Sequence, residues 1–361
     1  MEMNKTQIRG QERLSNLELY RIVVMLLIVA HHYVVNSKLI DLMSENPIMD
    51  QSLYLYFLGM WGKTGINCFV LITGYFMCKS QITMHKFLKL LLEVLFYNII
   101  CWSIFVISGY SSFSIKGMIT AFTPVSCVAA DFVGAFLIFY LFIPFLNILI
   151  RHLDRKKHGL LLLLCLSVYT LLPCIPHFYV AFNYVTWFCV LYIIASYIRL
   201  YGLFKKMKHY CWGIITVALI LFSMFSVLLL IYLHIQFGIK LIPFKMVADS
   251  NMLFAVLVSV ASFMFFKDLH IKQSKVINTI SASTFGVLCI HANSETMRQW
   301  LWNDTLHCAS HFSSPNLICI SLLSILAVYF ICVMIDYIRI HFIECYVLRF
   351  VDRLLQKYNL N

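Results

Sequence analysis

Ten apolar segments follow one another along this chain, near 17–35, 54–77, 87–108, 127–150, 159–175, 181–198, 212–234, 247–266, 279–301 and 316–338. Each comes close to the roughly 20 residues that carry a helix across the hydrocarbon core of a bilayer. A backbone in lipid has no water to hydrogen-bond, so only helices or closed barrels cross it, and the alternating pattern of barrel strands is missing here. The expected fold is therefore all-α, a polytopic membrane helix bundle of about ten transmembrane helices forming one domain over 1–361. Composition agrees, with 61% apolar and 12% charged residues and a mean hydropathy of +0.83. Soluble domains carry roughly 45–50% and about 25%. His31, His32 and Tyr33 end the first segment where a signal peptide would have small residues, so it is expected to remain as a span.

The net charge of +12 suggests a polyanion partner until its distribution is traced. With the N-terminus inside, 21 of the 28 Lys and Arg fall on inner loops and tails, Lys5, Arg9 and Arg13 among them. Only Lys38, Lys116, Lys240 and Lys245 lie outside, while Arg21, Lys63 and Arg298 lie within spans. That bias is the positive-inside pattern, so both termini are expected in the cytoplasm and nucleic acid is not expected as a partner. Basic inner stretches such as RHLDRKKH and KKMKHY suit anionic lipid headgroups better than a dedicated site for the phosphates of coenzyme A. The thirteen cysteines show no C-x-x-C spacing, and Cys68, Cys101, Cys165, Cys189, Cys289 and Cys332 sit inside apolar runs. There a thiol acts as a small hydrophobe, which argues against a disulfide framework. The outer loops near 36–53, 109–126, 235–246 and 302–315 are too short for a soluble domain, and no internal repeat is visible.

Ionisable groups inside spans are costly in hydrocarbon and are the natural candidates for function. On the first span Glu18, Arg21 and His32 recur; at about 100° per residue Arg21 and His32 return to one face, roughly 16 Å apart along the axis. An aligned carboxylate, guanidinium and imidazole on an apolar helix suggest a polar cavity through the bundle, whereas Arg21 alone could snorkel to the headgroups and His32 alone could be interfacial. Lys63 enters the second span from the outer side, with Asn67 one turn on as a possible polar pair on the same face. In the ninth span His291, Glu295 and Arg298 fall at i, i+4 and i+7, one stripe on a helix toward the outer side. His31 and His32 diverge on a helix and lack a carboxylate cluster, so no metal is expected.

These residues carry a resemblance. Arg21, ten intervening residues and then His32 near the N-terminus resemble the type 3 acyltransferase family of integral membrane proteins, which O-acylate cell-surface polysaccharides and related acceptors. Residues 61–77, WGKTGINCFVLITGYFM, are similar to its second-helix signature, and 283–291, STFGVLCIH, to its late element ending in histidine. The chain departs from the signature in Lys63 where arginine is frequent, Asn67 near the usual acid, and Thr73 for serine before Gly74.

The resemblance implies a bacterial inner-membrane O-acetyltransferase. It takes an acetyl group from cytoplasmic acetyl-CoA as co-substrate and delivers it to a hydroxyl of a glycan or lipid-linked sugar acceptor. His32 is then general base or transient acyl carrier, and Arg21 holds the donor or pairs with Glu18. Lys63 stabilises the oxyanion or the acceptor, and Asn67, His291, Glu295 and Arg298 bind substrate or orient the imidazole. A flippase or polymerisation protein of the same glycan pathway, with polar residues lining a translocation path, is the competing reading.

Overall fold

The computed structural model describes residues 13–125, 131–175, 178, 180–238 and 243–357. Lys5, Arg9 and Lys240, which enter the charge count above, lie outside them. Helix α1 runs Ser15–Val35, followed by α2 (Leu39–Glu45), α3 (Asp50–Gly59), α4 (Gly62–Met77), α5 (Met84–Ile107), α6 (Ile115–Phe122), α7 (Phe132–His152) and α8 (Arg155–Leu166). The second half holds α9 (Tyr184–Tyr201), α10 (His209–Phe237), α11 (Leu253–Lys267), α12 (Lys275–Ala282), α13 (Thr284–His291), α14 (Glu295–Arg298), α15 (Leu317–Arg339) and α16 (Cys345–Lys357). No strand occurs among the described residues, and eight helices are long and apolar enough to cross a membrane. The protein is an all-α polytopic bundle.

Two of the expected spans take a different form. Segment 247–266 becomes the shorter α11, preceded by a turn of 3-10 helix at Lys245–Val247. Segment 279–301 is not one helix: α12 and α13 meet at Ser283, and the chain breaks again at 292–294 before α14. Ser and Asn compete with the helical backbone through their own side chains, and Ser294 Oγ accepts the Met297 N–H at 3.1 Å as the N-cap of α14.

α1, α4 and α9 form the centre, where Val24, Met25, Val70, Leu71, Trp187, Phe188 and Tyr192 are buried. Close approach depends on glycine: a Cβ at Gly59 would meet Val34, one at Gly62 would overlap the His31 ring, and one at Gly74 would meet Ala195 at 2.9 Å. The outer helices turn apolar side chains outward, among them Ile104 and Ile107 on α5, Leu163 and Leu164 on α8, Phe222 and Phe225 on α10, and Leu323 and Met334 on α15. An apolar exterior of this kind is at rest only in hydrocarbon. All twelve described cysteines are free.

Candidate functional site

At the end of α1 that carries His32, α1, α4, α5, α6, α7 and α9 and the chain around α14 surround a cavity of about 910 Å³. Its polar lining includes Lys63 on α4, Asn98 on α5, Lys116 on α6, Asp131 ahead of α7, Tyr184 on α9, and Asn293, Glu295 and Arg298. Apolar wall comes from Ile66, Val94, Leu288 and Cys289. Both His31 and His32 face it.

The hydrogen bonds define the tautomers. A carbonyl oxygen only accepts, so His291 Nδ1, 2.6 Å from the Val287 carbonyl, carries the proton. Its Nε2 then has a lone pair, and His32 Nδ1 at 2.9 Å is the donor to it. His32 Nε2 is left unprotonated. His31 follows the same logic: Nδ1 donates to the Gly59 carbonyl at 2.5 Å, leaving Nε2 with a lone pair. The helical angle between adjacent residues does separate the two rings, whose centroids are 5.7 Å apart, but the cavity is wide enough to take in both.

Lys63 donates to the Tyr184 hydroxyl at 2.6 Å. Arg298 Nε donates to the Ser294 carbonyl at 3.2 Å. Neither cation has a carboxylate within ion-pair distance among the described residues, and both lie within electrostatic reach of His32. Asp131 is spent on structure, its two oxygens accepting the N–H groups of Val133 and Gly134. The described residues contain no cluster of three or more His, Cys, Asp or Glu suited to a metal ion.

Several residues sit elsewhere than the sequence pattern suggests. Asn67 does not pair with Lys63 in the cavity: it is buried, donating to the Ser250 carbonyl at 2.6 Å and accepting from Trp187 Nε1 at 2.9 Å. Glu18 and Arg21 lie at the far end of α1 and do not line the cavity. Glu18 is buried, accepts from the Ser281 hydroxyl and pairs with Arg21 at 3.3 Å, while Arg21 also rests near the Phe76 ring. Between the two ends Val24, Met25, Ile28 and Val29 are packed in the core, so the polar groups of α1 form two separate places rather than one continuous face. His291, Glu295 and Arg298 are not a stripe on one helix, because the break at 292–294 separates the first from the other two; His291 turns inward to His32, and the others line the cavity.

A second polar centre escaped the sequence reading. Arg339, expected in an inner tail, is buried and bound to Asp336 at 2.7 Å, Glu344 at 2.8 Å and Glu93 at 3.1 Å, with Tyr97 donating to Asp336 at 2.7 Å. The signal was Glu93 as the one carboxylate of α5 and the i, i+3 pair Asp336 and Arg339 in α15.

A family model described as an acyltransferase domain matches residues 14–337, nearly the whole chain. No curated protein and no solved structure matches. The chain belongs to that acyltransferase family, and with its lipid-facing helices it is a membrane acyltransferase.

Proposed function

We propose that this membrane acyltransferase moves an acetyl group from acetyl-CoA to a hydroxyl of a glycan or lipid-linked sugar that enters the cavity at the His32 end. The observation that carries the reading is His32 itself, an imidazole whose Nδ1 proton is held by His291 and whose Nε2 lone pair is left for chemistry. Such a nitrogen serves as base for the hydroxyl proton or as nucleophile toward the thioester, and a positioned base contributes about 10² to 10⁴-fold. Lys63 and Arg298, without carboxylate partners among the described residues, are suited to the oxyanion that develops on the acyl carbonyl. Asn98, Asn293 and Glu295 offer donors and acceptors to sugar hydroxyls.

The positive-inside bias supports an orientation with Arg21 on the cytoplasmic side, where acetyl-CoA is found, and the membrane in this reading is a bacterial inner membrane. Arg21, about a quarter exposed beside Glu18, would hold the donor's phosphates.

The test is His32→Ala in cells, with mass spectrometry of the surface polysaccharide. The expected result is normal protein level and normal polymer export with O-acetyl groups lost. Polymer that remains acetylated removes His32 from the chemistry, and loss of export along with acetylation favours transport.

A further inference from the structure

We infer that the two adjacent imidazoles divide the reaction, His32 carrying the acyl group and His31 acting as the base that takes the proton of the acceptor hydroxyl. The inference rests on the acyl-transfer reading above and extends it to a second catalytic residue. Its ground is that both rings line one cavity, both have Nδ1 committed as donor, and both keep Nε2 free of hydrogen bonds to described residues. Their anchors differ. His32 leans on another imidazole, the buried His291, which can accept its Nδ1 proton. His31 leans on the backbone carbonyl of Gly59, which cannot.

That difference assigns the roles. In the first half, the His32 Nε2 lone pair forms a bond to the thioester carbon, the C–S bond breaks, and coenzyme A leaves as thiolate. The acyl-imidazolium so formed is relieved of positive charge as its Nδ1 proton moves toward His291 Nε2, an outlet that only His32 possesses. In the second half, the acceptor oxygen bonds to the acyl carbon and the Nε2–C bond breaks, returning its electron pair to His32 and the shared proton to Nδ1. While acylated, His32 Nε2 has no lone pair and cannot be the base, so another group must remove the hydroxyl proton. His31 Nε2, with its ring centroid 5.7 Å from that of His32, takes it and passes it to the thiolate or to water. The sum is thioester plus alcohol giving ester plus thiol.

The ring of His31 is also held in place sterically. It packs where Gly62 has no Cβ, at the break between α3 and α4, so its orientation is set by the backbone on both sides.

The experiment uses membranes containing the full chain, [14C]acetyl-CoA as probe, and His31→Asn, which keeps an N–H toward the Gly59 carbonyl but has no basic nitrogen. Expected is hydroxylamine-sensitive labelling of the protein and exchange between acetyl-CoA and labelled coenzyme A, with O-acetylation of the cell's glycan reduced about 10² to 10⁴-fold. His32→Asn should abolish label, exchange and transfer together. As a second variant, His31→Ala should regain transfer as imidazole is added, a rescue that a purely structural role would not give. Full glycan acetylation by His31→Asn, loss of label with transfer in that variant, no rescue of His31→Ala, or a wild-type protein that neither labels nor exchanges would each overturn the division of labour. Transfer surviving in His32→Asn would instead sink the underlying assignment of His32.

Discussion

His291 contributes a lone pair rather than a charge, and one backbone carbonyl is responsible. Because Val287 O occupies its Nδ1 proton, the neutral ring accepts from His32, which leaves the outer imidazole with a free nitrogen lone pair. His291→Ala removes that acceptor and leaves His32 Nδ1 to rotate or find water. Transfer activity in membranes is expected to fall on the order of 10²-fold at unchanged protein level; wild-type turnover in this variant would remove the relay from the mechanism. Asn67 shows the opposite case. Its spacing from Lys63 is that of a functional pair, yet its amide is wholly used in joining α4 to Trp187 and to Ser250. Which of two polar neighbours on a helix faces a cavity depends on what the next helix presents to each.

At the scale of elements, the site is made from helix ends and helix breaks. α1 ends just beyond His32, α3 gives way to α4 at Met60–Trp61, and the segment expected as a ninth continuous span interrupts itself to place Asn293, Ser294, Glu295 and Arg298 around the cavity. Broken helices in a membrane are tolerated where the freed backbone is buried in protein or lines a cavity. The α1–α4 contact is the tightest of these joints, and Gly62→Ala tests it. A methyl at this position overlaps the His31 ring, and overpacking of this kind costs about 1–3 kcal/mol. The variant is expected to melt earlier in detergent and to lose transfer activity per folded molecule. Unchanged activity would show that His31 can move freely, against the clamped ring described above.

Across the whole molecule, separate polar centres are set in an apolar bundle, and two of them contrast. One lies in the open cavity at the His32 end, and the other is the closed knot of Glu93, Asp336, Arg339 and Glu344, with Lys89 binding Glu344 at 2.5 Å. Arg339 holds three carboxylates and ties α5 to α15. Removing one partner of a buried ionic group strands the rest, typically at 3–5 kcal/mol, roughly, for a single pair. Arg339→Met is accordingly expected to lower the thermal midpoint in detergent strongly, with Glu93→Gln in the same chain recovering part of the loss. An unchanged midpoint would mean that the knot is not a structural joint.

The apolar segments were enough to establish an all-α helical membrane bundle, since hydrocarbon imposes length and helicity on each segment separately. Arg21 and His32 likewise could be picked out locally, because any ionisable residue stands out against an apolar run. Tertiary structure alone decided which polar groups meet. His31 belongs in the cavity because Gly59 and Gly62 come from α3 and α4, Glu18 and Arg21 leave it because Val24 to Val29 pack solidly between, and Arg339 turns inward because Glu93 waits on α5. A helix's own periodicity gives the direction of each side chain around its axis, but partners come from segments distant in sequence, and packing settles them.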